Sequence, residues 1–421
     1  MFKNIASTII TRFINALISF ITIIILSRKF GAEGMGTIGL IVLGITIIVL
    51  INNFVGGSSL VYLVPRYNTY KLILLSYSWA LISSISTTII LNLINLIPNN
   101  YTYHILLLSL LFSINSINQM IILGYEKITF YNIISLAQAI IMFISLIIFL
   151  NIIPQTSINT YVYALYCSYT LVTIWSFFSI RKFIIASKSL DKLTNLIKEI
   201  FKLGTIIQIA NISQLFNYRL AYYFIDHFIN RKALGIFNLS TQISEGVWNI
   251  PKSLSTVIYS KISNSNDKNY MINLTLSFFK ISLIMTLIIL SIIFIIPSYA
   301  FQLIFGNDFY EVKKIIILLS PGIIAISAGM ILSNYFSGTG KPIYNTIGSV
   351  IGFIFTLILG LWLIPTHGLM GAALSTTISY VASSTYQIII FYKLTNIKIK
   401  QLTFNKNDLT MVKYEIKKLF K

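Results

Sequence analysis

Asn238, Gln242, Glu245, Asn249 and Lys252 recur at offsets of 0, 4, 7, 11 and 14 in an otherwise apolar stretch. On a helix turning about 100° per residue they fall within an arc of roughly 80°. Just upstream, Gln208, Asn211, Gln214, Tyr218, Arg219, Tyr222 and Asp226 share an arc of roughly 140° by the same geometry, with Asn217 pointing away. A milder stripe holds Thr8, Arg12, Asn15, Ser19 and Thr22, and Asn115, Asn118, Gln119 and Glu126 share one side of another segment. Together these residue types can recognise an anion and hydrogen-bond around it. Arg219 can grip two phosphate oxygens through its planar fork, Lys252 and Arg12 add point charge, and amides and phenols can bind hydroxyl groups. A carboxylate such as Glu245 has two uses: it can take up a proton or cation, or pair with a neighbouring Lys or Arg. The candidate binding residues are therefore Arg219, Lys252, Glu245, Arg12, Gln208, Asn211, Gln242 and Asn249. Glu245 and Asp226 are the candidates for coupling to an ion.

Each stripe also has a plainer reading. Asn and Gln on apolar helices commonly bond across to neighbouring helices. The chain is rich in Ile, Asn, Lys and Tyr, so single asparagines carry little weight. Arg12 lies near a helix end and can snorkel to headgroups, and Asp226 can sit in a link rather than a helix.

The elements that must hold these residues are membrane helices. The chain of 421 residues is 56% hydrophobic and only 10% charged, with mean hydropathy +0.83. Apolar stretches such as 9–26, 38–55, 72–97, 105–123, 133–153, 161–180, 281–296, 343–364 and 369–391 approach the roughly 20 residues that cross a bilayer as a helix. Twelve spans are predicted, with links beginning near Arg28, Pro65, Pro98, Gly124, Pro154, Arg181, Asp226, Lys261, Phe305, Ser337 and Pro365. The first stretch is expected to be a span rather than a cleaved signal, since no small-x-small site follows Leu26.

The net charge of +20 comes from 31 Lys and Arg. With the N-terminus placed in the cytoplasm, twenty-two of them fall on the cytoplasmic side, six on the other and three within spans. That bias puts both termini inside. No basic stripe interleaves with aromatics, which argues against nucleic acid as a partner. Cys167 is the lone cysteine, and His104, His227 and His367 lie far apart, so neither a disulfide nor a metal site is expected. No Gly-x-x-x-x-Gly-Lys-Ser/Thr loop occurs to bind ATP. No cofactor is expected beyond a coupling ion, H+ or Na+. No large loop and no acid–base or nucleophile constellation argues for an enzyme such as a glycan polymerase or acyltransferase.

The halves are alike. Gly124-Tyr-Glu-Lys127 precedes an apolar run ending at Ile153-Pro154, and Gly338-Thr-Gly-Lys341 precedes one ending at Ile364-Pro365. Both runs have Tyr-Asn near their start. Six spans per half insert in one orientation, giving a pseudo-two-fold axis along the membrane normal. The expected fold is thus an all-α polytopic membrane protein of two six-helix bundles, residues 1–180 and 203–392. Between them 181–202 is expected as a cytoplasmic amphipathic helix with Leu190, Leu193, Ile197 and Phe201 on one face. Residues 393–421 form a basic tail.

Several stretches resemble one family. They are Leu26-Ser-Arg-Lys-Phe-Gly-Ala-Glu-Gly-Met-Gly36, Ala233-Leu-Gly-Ile-Phe-Asn-Leu-Ser-Thr-Gln-Ile243, Phe305-Gly-Asn-Asp-Phe-Tyr310, Gly338-Thr-Gly-Lys341 and Ile364-Pro-Thr-His-Gly-Leu-Met-Gly-Ala-Ala373. In order and spacing they resemble the polysaccharide flippases, including O-antigen flippases of the Wzx type. These form a branch of the multidrug/oligosaccharidyl-lipid/polysaccharide exporter superfamily. The resemblance implies two bundles in a V around a cavity, and ion-coupled alternating access. It implies as substrate an undecaprenyl-diphosphate-linked oligosaccharide, an O-antigen repeat unit of lipopolysaccharide or another surface glycan, moved across the bacterial cytoplasmic membrane. It also implies membrane lipids and a glycan polymerase complex as partners. Its cationic cavity is matched here by Arg219 and Lys252, with Arg12, Arg28 and Arg66 as further candidates. The two extra helices of the fourteen-span relatives are not found, which weighs against lipid II as substrate. A drug or cation exporter of the same superfamily is the alternative, and would favour an acidic or aromatic cavity.

Overall fold

The computed structural model describes residues 2–153, 157–184, 193–265, 267–397 and 410. Among them there is no strand. Thirteen helices follow in order: α1 (Phe2–Gly56), α2 (Ser59–Leu63), α3 (Thr69–Leu93), α4 (Thr102–Gly124), α5 (Ile128–Ile152), α6 (Ile158–Ile184), α7 (Leu193–Phe228), α8 (Arg231–Val247), α9 (Asn249–Ser263), α10 (Lys268–Ile295), α11 (Ser298–Phe305), α12 (Val312–Gly338) and α13 (Ile343–Thr395).

Among the described residues, eight helical stretches are long and apolar enough to cross a membrane, two of them of 54 and 53 residues. Each of those two is about twice what a bilayer needs, and each contains a turn. At Gly31 (φ 62°, ψ −170°) and Gly368 (φ 59°, ψ −137°) the backbone enters a region open to glycine alone, and the helix stops and restarts. Both breaks fall in expected links. α7 and the α8–α9 pair carry the polar stripes and fall short of that apolarity.

Polar caps start several helices. Asn68 accepts from Tyr70 and Lys71 N–H at the head of α3, Asn230 from Ala233 at α8, and Asp267 from Asn269 and Tyr270 at α10. The two Gly-x-x-Lys links share one backbone motif. Lys127 N–H donates to Ile122 O at 3.2 Å and Lys341 N–H to Phe336 O at 2.7 Å, closing Schellman-type ends on α4 and α12. The left-handed residue is Glu126 (φ 60°) in one and Gly340 (φ 74°) in the other.

The chain divides into two compact units. One holds residues 3–30 and 37–212, the other 31–36 and 213–421. The boundary thus falls inside α7, ten residues beyond the expected start of the second bundle, and the turn at Gly31 groups with the second unit. Residues 185–192 of the expected linker, Leu190 included, lie outside the described residues. From Leu193 onward that link is the beginning of α7, with Ile197 and Phe201 exposed and Ile200 in the buried cluster that also holds Leu72, Ile121 and Val172. Of the tail beyond Ile397 only Thr410 is described.

In the first unit, polar side chains join helices. Asn52 of α1 donates to Ser84 (3.0 Å) and Ser113 and accepts from Ser83. Asn115 donates to Gln138 (3.0 Å), and Asn118 donates to Ser176 (2.9 Å) and accepts from Tyr77. The stripe on α4 is therefore interhelical bonding, each bond contributing about 0.6 kcal/mol in such settings. Glu126 lies exposed in the link. The stripe on α1 does the same toward α5: Asn132 donates to Thr8 (2.9 Å) and Asn15 to Ser135 (3.3 Å).

Candidate functional site

The second unit brings together two of the residues with anion chemistry. Arg219 of α7 presents its fork to Glu245 of α8: Nη2 donates to Oε2 at 2.7 Å and Nη1 to Oε1. This is the bidentate geometry that a carboxylate shares with a phosphate. The side chains retain 23% and 24% of their exposure. The Arg219 guanidinium also sits 5.2 Å from the Tyr222 ring centroid. Tyr222 is itself anchored, donating to Asn238 (3.1 Å) and bonding Thr241 (2.6 Å). Gln242 donates to Asn238 at 2.8 Å, so Asn238 is the centre of the polar face on α8.

That face does not continue as expected. The spacing from Asn238 to Lys252 assumes one straight helix, but α8 ends at Val247 and α9 begins at Asn249. Pro251 has no N–H for the Val247 carbonyl, so the ladder is interrupted at Trp248. Asn249 and Lys252 lie exposed on α9, and Asn249 donates to Gly246 O at 3.1 Å. Gln208 and Asn211 belong to the first unit. Gln208 is buried and donates to Asn53 O at 3.3 Å, and Asn211 donates to Gln208 at 3.1 Å. Arg12 is exposed on α1. Asp226 is held by Arg231, whose Nη2 donates at 2.9 Å, so it forms a clasp within the α7–α8 link.

Three features escaped sequence reasoning. Asn217, the residue off the α7 stripe, reaches α13. Its Oδ1 accepts from Thr356 (3.1 Å) and Ser379 (2.7 Å). Next, Tyr218, Trp248 and Tyr380 form an aromatic trio with centroids 5.4–5.7 Å apart. The third is Asp308, in the link before α12. It accepts from Ala32 N–H at 3.1 Å and pairs with Lys232 at 2.7 Å, tying the start of the helix after Gly31 to the head of α8. The only signals for any of these in the sequence were an isolated asparagine, scattered aromatics and one acidic residue in a link.

The Lys232 ammonium, and then the Ala32 N–H, hold the Asp308 carboxyl below its ordinary value of 3.8. A depressed carboxylate contributes stability above its unfolded value and loses it as pH falls through the folded one. The clasp is therefore expected to be constant from pH 8 to 5 and to weaken below about pH 4. Thermal unfolding of wild type and Asp308→Asn should differ at pH 7 and converge at the acid end. A gap that does not narrow there would exclude this account.

No family model matches the chain. Among solved structures it is similar to the lipid II flippase MurJ in an inward closed conformation, with a TM-score of 0.70 and 17% identity over 98% of this chain and 91% of that one. It is also similar to an inward-facing multidrug resistance MATE family transporter of the MOP superfamily, with a TM-score of 0.69 and 14% identity over 91% and 94%. The chain shares its fold with these polytopic membrane proteins, a lipid II flippase and multidrug transporters. A segment of 93 residues is 40% identical to the capsular polysaccharide biosynthesis protein CapF of Staphylococcus aureus, covering 22% of this chain and 23% of that protein. The chain matches only about a quarter of the length of its curated relatives.

Proposed function

We propose that this protein is a flippase for lipid-linked oligosaccharides. In this reading it carries undecaprenyl-diphosphate-linked repeat units of O-antigen, capsule or another surface glycan between leaflets of the bacterial cytoplasmic membrane by alternating access. The observation that carries the proposal is the Arg219 fork, a guanidinium set for bidentate anion binding inside an apolar helical protein. The shared fold and the local likeness to a capsular polysaccharide protein support it. The reading takes two crossings for each of the broken helices and one each for α7 and α8–α9, for twelve spans in all. The Lys and Arg bias puts both termini in the cytoplasm. Lys252 and Arg12 supply further positive charge, Gln242 and Asn249 bond sugar hydroxyls, H+ or Na+ drives the cycle, and a glycan polymerase receives the product.

The aromatic trio beside Arg219 favours a second reading, a drug or cation exporter. Against it, Glu245 is the acid within the polar stripe of α8, and Arg219 already neutralises it.

Deleting the gene tests the choice. Loss of surface polysaccharide, with the lipid-linked precursor trapped in the cytoplasmic leaflet, is expected for the flippase. Complementation by wild type should restore the glycan, and Arg219→Ala made at normal levels should not. Unchanged glycan with increased drug sensitivity would select the exporter. Precursor reaching the outer leaflet as unpolymerised single units would point to an enzyme.

A further inference from the structure

The geometry points to Glu245 as a built-in occupant of the anion seat on Arg219, displaced when a substrate diphosphate arrives. This inference rests on the flippase reading and identifies what the seat holds between substrates. The carboxylate and a phosphate present the same pair of oxygens to a guanidinium, so both compete for Nη1 and Nη2.

Three observations make the pair exchangeable rather than a fixed strut. Both side chains keep about a quarter of their exposure, so the seat is open to an incoming group. Glu245 stands at the end of α8, just before the interruption at Trp248. Arg219, by contrast, is stacked on Tyr222, which Asn238 and Thr241 hold in place, so its fork stays oriented once Glu245 leaves.

A tethered carboxylate acts at a high effective concentration. It screens Arg219 from free phosphate and yields only to an anion that brings additional contacts, such as a lipid tail in the bilayer and sugars. Glu245 is thus a specificity residue. It makes the site discriminate a membrane-held diphosphate from a soluble one.

The test uses the full chain in nanodiscs of phosphatidylethanolamine and phosphatidylglycerol. Two probes are compared: inorganic pyrophosphate added to the solution, and undecaprenyl diphosphate incorporated in the disc. Wild type is expected to bind the embedded lipid and hardly any pyrophosphate. Glu245→Gln should bind pyrophosphate at least about tenfold more tightly, since its amide no longer competes as an anion. Glu245→Asp, which keeps the charge on a shorter stem, should gain less, and adding Arg219→Gln to Glu245→Gln should remove the gain. Thermal unfolding of each variant establishes that it is folded. If neither position-245 variant gains affinity for pyrophosphate, the occupant role is overturned, and wild-type binding of the embedded lipid then leaves the flippase reading intact. If pyrophosphate affinity rises while no form binds the embedded lipid, the seat stands and the flippase reading falls.

Discussion

Gly235→Ala is expected to lower stability by about 3 kcal/mol, at the upper end of ordinary overpacking, whereas Gly246→Ala raises it. Alanine gains up to about 1 kcal/mol over glycine inside a helix, so the default effect of either change is stabilising. At Gly246 a Cβ meets nothing within 4 Å, and that default holds. At Gly235 a Cβ would lie 1.6 Å from Ala32 O and 2.9 Å from Gly36 N. These are backbone atoms and cannot rotate aside. Gly36 answers from the other side, where a Cβ would stand 2.1 Å from Arg231 O. The head of α8 and the helix restarting after Gly31 therefore touch backbone to backbone, and any side chain at either glycine forces them apart.

That separation would reach further than the clash. Asn238 Nδ2 donates to Met35 O at 2.9 Å, and Asp308 joins Ala32 to Lys232, so all three bonds bridge the same junction. Gly36→Ala should reproduce the loss at Gly235, and both variants should fail to restore surface glycan. Thermal unfolding in detergent of the three alanine variants provides the check. A Gly235→Ala protein as stable as wild type would show that the junction is looser than its geometry.

The residues explain which parts of this architecture could be read from sequence. Links declare themselves through local chemistry: Arg28 and Pro365 mark the stretches where the backbone turns at Gly31 and Gly368, and Asn68, Asn230 and Asp267 cap the helices that follow. Periodicity grouped residues of α7 and α8 on polar faces, but a stripe computed for a straight helix takes no account of Pro251, whose missing N–H interrupts the ladder between Glu245 and Lys252. Pairing between helices is a different kind of information. Arg219 and Glu245 were both candidates, yet their separation of 26 residues says nothing about which partner each finds. Nothing in the sequence around Gly36, Gly235 or Asp308 names the segments they meet. Their roles exist only where distant segments meet. The polar stripes on α1 and α4 show the converse, since the plainer reading of side chains bonding between helices describes their asparagines.

A double-mutant cycle on Arg219 and Glu245 is expected to return a coupling of about 5 kcal/mol. Removing one member of a largely buried pair leaves a charge among apolar helices, at a cost of about 3 kcal/mol when a quarter of each side chain is still exposed. Removing both leaves two neutral polar groups, and the cost falls to about 1 kcal/mol, that of a typical hydrogen bond. Arg219→Gln and Glu245→Gln should therefore each lower stability more than the double variant does. Arg219→Lys should rescue poorly, because an ammonium cannot span both carboxylate oxygens. Additive effects, read from unfolding in detergent, would mean the pair contributes nothing as a pair. The same proteins separate structure from transport. If Arg219 grips the substrate, the double variant recovers stability but still exports no glycan, because the fork that took the diphosphate is gone. If the double variant is both stable and active, the fork is structural, and the anion must be held by other cations such as Lys252 or Arg12.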